Sequence, residues 1–526
     1  MVARLICGAI QGVDAFRVDL EVDLLRKGLP AFVMVGLAEG AVREAKERVF
    51  AALRSSGFRL PPARVTVNLA PADRRKGGSG YDLPLAVGLL TAAGLLPEER
   101  VQGWFLVGEL SLSGEIRPVP GVLPLALLAR AEGAAGLVVA PENASEAALA
   151  GIPAYGAASL TQAAGFLAGE VSLERAEAPA FSPDGPAGPD DAGALPDFAD
   201  VKGQEHAKRA VEIAAAGGHN LLFIGPPGSG KTMLAQRIPS VLPPLSFAEA
   251  LEATKIHSVA GLLGNGGILR RRPFRSPHHT VSDVALVGGG SSPRPGEVSL
   301  AHRGVLFLDE LPEYGKAALE ALRQPLEDGS ITVSRAVRSV DFPARCMLVA
   351  AMNPCPCGYA TDPERACVCS GTEIRRYRAR LSGPLLDRID LHVAVPAVPF
   401  DDLRAAGPAV SSAAMRERVL AAREIQRRRY TGGDDENSGN ARHACRTNAE
   451  LSGALLEEHC RLGEAENAFL REAMRRLRLS ARAYTRILRV SRTIADLDAA
   501  ERTSGPIEVR HLAEAINCRV LDREEW

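Results

Sequence analysis

The chain is 526 residues long, 46% hydrophobic and 24% charged, and its 62 Lys and Arg against 63 Asp and Glu leave a net charge of −1. That length exceeds what one hydrophobic core usually serves, so two or three domains are expected. The charge balance excludes attraction of nucleic acid by a molecule-wide positive field; such a partner would have to meet local basic patches.

The first segment, Met1 to Phe16, lacks a long apolar core and meets Asp14 early, so it does not read as a signal peptide. Val42, Ala45, Val49 and Leu53 recur at helical spacing, and Gly57 stands where such a helix stops. From Arg64 to Ala70, Val65, Val67 and Leu69 alternate with a period of two, which predicts a strand. The most apolar stretch, Leu83 to Pro97, runs for only 15 residues. A bilayer span needs roughly 20, so no membrane is expected. Residues 1–175 therefore read as a compact α+β domain. Glu177 to Asp197 is rich in Pro, Gly, Ala and Asp without apolar period, which makes 176–197 a flexible linker. The chain shows no internal repeat and no heptads.

The strongest signal follows. Asn220 to Ile224 is a short apolar strand feeding Gly225-Pro226-Pro227-Gly228-Ser229-Gly230-Lys231-Thr232, after which the sequence continues as a helix. The glycines let the backbone wrap phosphate oxygens, so that its N–H groups and the helix N-terminus bind the anion. Lys231 would reach the β- and γ-phosphates of ATP, and the Thr232 hydroxyl would ligate Mg²⁺. Gly304 to Glu310 is a buried-strand run ending in two carboxylates. Asp309 would complete the Mg²⁺ shell and Glu310 would polarise the attacking water. The next apolar run, Cys346 to Met352, ends at Asn353, which is either a polar amide beside the γ-phosphate or a turn-forming residue before Pro354.

The segments VKGQEHAKRAVEIAAAGGHNLLFIGPPGSGKTMLA, HRGVLFLDELPEYGKAALEALRQPLEDG, AAMNPCPCGY and SGPLLDRIDLHV resemble the Mg-chelatase-like AAA+ proteins of the ComM/YifB type. RVTVNLAPADRRKGGSGYDLPLAVGLL near the start and LSARAYTRILRVSRTIADL near the end match the same family, so the likeness spans nearly the whole chain. It implies an α/β P-loop AAA+ core over 198–400, elaborated by a helix-2 insert, a pre-sensor hairpin and a Cys-rich loop. A Mg-chelatase-like helical lid over 401–526 would follow, and a Lon-protease-like domain of ribosomal S5 type would precede it. Asn353 takes the sensor position. Arg388 resembles the arginine finger that reaches the neighbouring subunit's nucleotide, the alternative being an ion pair with Asp387 or Asp390. Arg482 resembles the second sensor arginine, with Arg486 one turn on as its competitor. Val201 and Gln204 would line the adenine side. A finger acting in trans implies a ring, read as a homo-hexamer in the cytoplasm.

Two basic features bear on DNA. Ile331 to Phe342 reads as a hairpin with Arg335 and Arg338 near its tip. In the helicase relatives such insertions grip the phosphate backbone in the pore; ordinary solvated arginines are the alternative. The run Met415 to Tyr430 carries Arg416, Arg418, Arg423, Arg427, Arg428 and Arg429 and reads as a solvated lid face. His278 and His279 lack an acidic or cysteine partner at metal spacing and read as structural or pore-loop residues.

Cys355, Cys357, Cys367 and Cys369 offer four thiolates in one loop, a set suited to tetrahedral Zn²⁺, with free or redox-active thiols as the alternative. In the Lon-like segment, the positions of the family's nucleophile and base hold Leu85, after Pro84, and the Leu123-Pro124-Leu125 run. A leucine cannot attack a carbonyl, so no peptidase activity is expected, although Ser79 and Lys76 lie nearby in another register. The basic loop Arg74-Arg75-Lys76 could touch DNA or the motor. The favoured function is a ring-forming DNA motor, a helicase or branch migrator in recombination of transforming DNA. Chelatase-type or protein-remodelling action on a partner protein is the second reading, and a nucleotide-dependent regulatory protein the third.

Overall fold

The computed structural model describes residues 2–26, 29–37, 39–182, 195–264, 267–290, 293–335, 338–362, 364–398, 410–431, 445–499, 505–519 and 521. Most of the expected linker, and the expected boundary near residue 400, lie outside them.

The N-terminal half opens with β1 (Val2–Gln11), β2 (Asp14–Leu25), β3 (Ala31–Val35), helix α1 (Gly40–Ser55), β4 (Arg64–Ala70) and helix α2 (Asp82–Ala93). It continues with β5 (Trp104–Leu106), helix α3 (Val122–Ala131), β6 (Gly136–Val139) and β7 (Ala154–Gly156). The seven strands form one mixed sheet in the order β3-β4-β2-β1-β5-β6-β7. Val42, Ala45, Val49 and Leu53 are all buried on one face of α1, and Gly57 beyond its end has a φ of +83°, which a glycine adopts without strain. Helix α2 is buried nearly all round, which explains why its sequence is apolar throughout and not striped. Among the described residues, no helix is long and apolar enough to cross a membrane.

The second half is built on helix α4 (Glu205–Gly217), β8 (Leu221–Ile224), α5 (Lys231–Val241), α6 (Phe247–Ala260), β9 (Phe274–Arg275) and β10 (Val305–Leu308). After these come the hairpin β11 (Ser330–Arg335) and β12 (Arg338–Pro343), then β13 (Met347–Met352) and β14 (Leu391–Ala394). The core sheet runs β9-β10-β13-β8-β14, parallel throughout. Its central strands β8, β10 and β13 read as unbroken apolar runs because both faces are covered. Leu221, Phe223, Phe307 and Val349 join a core beneath α4, α5 and the C-terminal helices, while Leu222, Ile224, Leu308 and Ala350 join a second core on the other face.

The C-terminal helices include α7 (Ser412–Thr431), α8 (Glu464–Arg476), α9 (Ala481–Leu497) and α10 (Val509–Asn517). The arginine-rich α7 departs from the expected solvated face. Arg423 donates to the Ala215 carbonyl and the Gln426 amide to that of Ala216, so both satisfy carbonyls at the end of α4. Arg429 is buried against Asp496, and Arg418 pairs with Glu212. Arg418, Arg427 and Arg428 keep the expected exposure, the last two paired with Glu424. The sequence reading missed this because the partners stand far along the chain.

The two sheets are not independent bodies. Leu245, Ala250 and Ile268 share a core with Phe105, Val122 and Leu137, and α6 lies against α3. Lys255 pairs with Asp14, and Gly121 N donates to Ser258 O at 2.9 Å.

Candidate nucleotide site and four-thiol loop

Parallel strands bring their C-terminal ends to one edge of a sheet, and chemistry collects there. Here the loops leaving β8, β10 and β13 meet. Gly225 follows β8, and its N–H bonds the Met352 carbonyl at the end of β13 at 3.2 Å. A Cβ on Gly225 would lie 1.9 Å from the Val395 carbonyl, so only glycine fits. Gly228 and Gly230 take φ of +78° and +92°, the left-handed conformations that curl the loop around an anion-sized space. Lys231 then opens α5.

The Lys231 ammonium donates to the carbonyls of Gly225 and Pro226, both at 2.8 Å, and to Asn353 Oδ1 at 3.2 Å. Burial lowers its pKa, and Asp309 and Glu310 oppose that shift. Thr232 Oγ1 donates to Asp309 Oδ2 at 2.7 Å. Asp309 Oδ1 accepts the Glu310 N–H at 2.9 Å, which turns Glu310 to a φ of +51°. A non-glycine residue in that region is uncommon and marks a constrained position. The structure therefore brings together Lys231, Thr232, Asp309, Glu310 and Asn353 from three loops. The Ser229 hydroxyl is buried without a partner among the described residues. The residues present fit a nucleotide triphosphate and Mg²⁺: left-handed glycines, a helix N-terminus, an ammonium, a hydroxyl and adjacent carboxylates.

Of the two expected adenine-side residues, Gln204 reaches the loop, its amide donating to the Ser229 and Pro396 carbonyls at 3.4 and 2.6 Å. Val201 is fully buried in the core below. Arg388 is only 6% exposed and is held by Glu327 and by the Pro384 carbonyl at 2.6 Å. The weighed ion pairs of Arg388 with Asp387 or Asp390 do not form, because those carboxylates are taken by Arg482 and Arg486, at 3.0 and 2.7 Å. Arg486 is thereby locked away: Asp390 also meets His219 and is fully buried. Burial alone would raise its carboxyl, yet Arg486 and His219 hold it far below the usual range. Arg482 pairs at the surface, with its side chain 63% exposed. Arg335 and Arg338 face each other at the last register of β11 and β12; their side chains lie outside the described residues.

One neighbour of the site went unread. His279 Nδ1 lies 3.4 Å from Glu310 Oε2, with His278 stacked behind it at 4.1 Å, so the histidine pair does have an acidic partner. The signal was its place just after β9, beside the strand that delivers Glu310.

The four cysteines also converge. Cys355 Sγ stands 3.3 Å from Cys357 Sγ and 3.6 Å from Cys367 Sγ, Cys357 and Cys367 are 3.6 Å apart, and all four sulfurs lie within 4.8 Å. A hydrogen bond from the backbone at Tyr359 pulls the Cys357 thiol down, and proximity to Cys357 and Cys355 pushes Cys367 and Cys369 up, so without a cation the crowded thiols do not ionise together.

In the N-terminal half, Leu85 and Leu123 are buried in apolar cores, and the Leu123 N–H bonds Glu146 at 2.9 Å. Lys76 does not point outward as a basic loop would. It is fully buried, donating to the carbonyls of Gly36, at 3.1 Å, and Pro71.

A family model described as magnesium chelatase, subunit ChlI, matches residues 197–403; subunit ChlI of Mg-chelatase matches 20–143, and the ChlI C-terminal model 409–519. The chain is 45% identical over 523 residues to Competence protein ComM of Haemophilus influenzae, covering 98% of this chain and 97% of that protein. It is 44% identical over 520 residues to Uncharacterized protein YifB of Escherichia coli, covering 98% and 96%. More distantly, 205 residues are 26% identical to DNA replication licensing factor Mcm2 of Drosophila melanogaster, 36% of this chain and 20% of that one. A parallel five-stranded P-loop sheet, its helical C-terminus and near full-length identity agree: the chain belongs to the ComM/YifB-type Mg-chelatase-like AAA+ family.

Proposed function

We propose that this protein is an ATP-hydrolysing motor that assembles as a ring, read as a hexamer, and works on DNA in the cytoplasm. The observation that carries the ATPase reading is the convergence of Lys231, Thr232, Asp309, Glu310 and Asn353 at one sheet edge. Backbone N–H groups from Gly228 to Thr232 and the Lys231 ammonium would bind the triphosphate. Thr232 and Asp309 would hold Mg²⁺, which when bound neutralises charge on the phosphates. Glu310 would orient a water and take its proton on a carboxylate oxygen. Arg482, exposed where Arg486 is mostly covered and held by buried Asp390, is the better lid candidate for a nucleotide contact. Arg388 would act on a neighbouring protomer by exchanging Glu327 for its phosphate. The division into a Lon-like domain, linker, AAA+ core and lid remains our working description.

DNA as the partner is supported by two relatives, a competence protein and a replication licensing factor, and by a two-stranded ribbon with Arg335 and Arg338 at its end. Chelatase-type or remodelling action on a partner protein is the second reading, and the family model's description favours it. The four-thiol loop argues against a plain chelatase motor subunit, whereas the N-terminal sheet, matched by a ChlI model over 20–143, does not separate the two readings. We read the thiols as a zinc site, and the N-terminal half as without peptidase activity, since leucines stand where the nucleophile and base belong. ATPase stimulation by forked or four-way DNA, with strand displacement lost in Lys231→Ala, supports the motor. No DNA binding even at low salt, where the backbone attraction is strongest, shifts the assignment to the second reading.

A further inference from the structure

The four-thiol loop follows β13 directly, with Cys355 two positions after Asn353. Between Cys355 and Cys369 the described residues form turns without helix or strand, and their apolar content is little help: Cys355 is buried, while Val368 is 85% exposed. A segment this long and without a core needs another constraint to hold one shape. Yet its first turn is tightly seated. Gly358 takes a φ of +90°, and a Cβ there would lie 2.5 Å from Pro227 Cδ of the phosphate loop and 3.9 Å from Asn353 Cγ. Gly358 N donates to Cys355 O at 3.0 Å, and Arg378 donates to the Pro354 carbonyl at 3.3 Å. The loop is thus a roof resting on Pro227, with Asn353 at its hinge.

We propose that zinc bound by Cys355, Cys357, Cys367 and Cys369 is a positioning element of the nucleotide site, clamping the loop so that Asn353 and Pro227 keep their places. This rests on the zinc reading given above. Four thiolates about 2.3 Å from one zinc stand about 3.8 Å apart, close to the separations observed, whereas a disulfide needs about 2.05 Å. Uptake of the metal as thiolates would tie Cys367 and Cys369, the latter already accepting the Cys357 N–H at 3.4 Å, firmly back to the Cys355–Gly358 turn. The four cysteines are therefore positioning residues that act through Asn353 and touch no substrate.

The test uses the full chain prepared without chelator, with zinc per chain and ATPase kinetics measured together. Wild type is expected to hold about one zinc. Cys367→Ser loses it and its kcat falls about tenfold or more, with the KM for ATP changing much less. Gly358→Val, which displaces the roof from Pro227 without touching a thiol, keeps zinc and loses kcat to a similar degree. Wild type stripped of zinc recovers kcat on adding the metal back, an outcome that a merely misfolded variant could not produce. Zinc-free protein turning over at the wild-type rate, or Gly358→Val at the wild-type rate, overturns the clamp. Wild type without zinc overturns the metal reading itself.

Discussion

The two sheets of this molecule bury similar polar side chains and use them differently. In the N-terminal half the buried charges are consumed by structural contacts, one of them reaching across the junction to Ser258 of α6. Asp82 takes the fork of Arg48 at 2.7 and 2.9 Å and the Leu110 N–H at 3.2 Å; Lys76 sits on backbone carbonyls; Glu146 accepts from Leu123 and Ser258. At the edge of the parallel sheet Lys231 holds Asn353 and Thr232 holds Asp309, while Glu310 stands 55% exposed beyond them. The difference is topological. A mixed sheet scatters its loop ends, whereas a parallel one gathers them on one edge. Buried charge in the N-terminal half is scaffold, as Asp390 and Asp496 are behind the parallel sheet; at that sheet's edge it is poised at an opening.

The sharpest way to break that contrast is at its centre. Lys231→Ala is expected to abolish ATP hydrolysis, more than about 100-fold, because both phosphate charge and the tie to Asn353 go with it. Its counterpart Lys76→Ala should leave turnover unchanged and cost only about 1–3 kcal/mol of stability, read by denaturant unfolding, as two carbonyls lose their donor. Equal loss of activity in both would erase the distinction.

The lid arginines sharpen it further. Arg486→Ala removes the nearest charged partner of buried Asp390, which keeps His219 and the Asn220 N–H, and should cost about 3 kcal/mol. Arg482→Ala should cost under about 1 kcal/mol, its partner being surface-exposed, while lowering ATP turnover. Reversed effects would exchange the two assignments.

A smaller effect is acid sensitivity. Burial, with Arg519 beside it, pushes buried His392 down from 6.5 to about 3. The unfolded chain therefore binds the proton first, and stability present above pH 6.5 is lost as pH falls toward 3, by up to about 1.4 kcal/mol per pH unit. His392→Phe should flatten that slope in unfolding measured across pH 4–7. The smallest expected change is Ser79→Ala: casein stays uncleaved by both forms. Processive degradation that stops in Ser79→Ala would overturn the peptidase assignment.

Local pattern carried much of this fold. The strand, phosphate loop and helix around Lys231 lie contiguous in the chain, so did the apolar runs before Asp309 and Asn353, and the thiol spacing. What escaped was set by distance along the chain. Arg423 and Arg429 looked solvated because Ala215 and Asp496 are remote in sequence. His279 looked partnerless because Glu310 comes to it only through the pairing of β9 with β10. Lys76 looked basic and exposed because carbonyls that accept its ammonium leave no trace in side-chain identity. Arg388 resembled an external finger, and only the folded chain shows Glu327 holding it.

The most direct measurement is steady-state ATP turnover and Mg-ATP binding in Glu310→Gln beside wild type. Retained binding with kcat reduced by about 100-fold or more is the expected result, since the amide keeps its place but takes no proton. Turnover at the wild-type rate, or a wild-type chain that neither binds nor cleaves Mg-ATP, would contradict the assignment of this sheet edge as the working site.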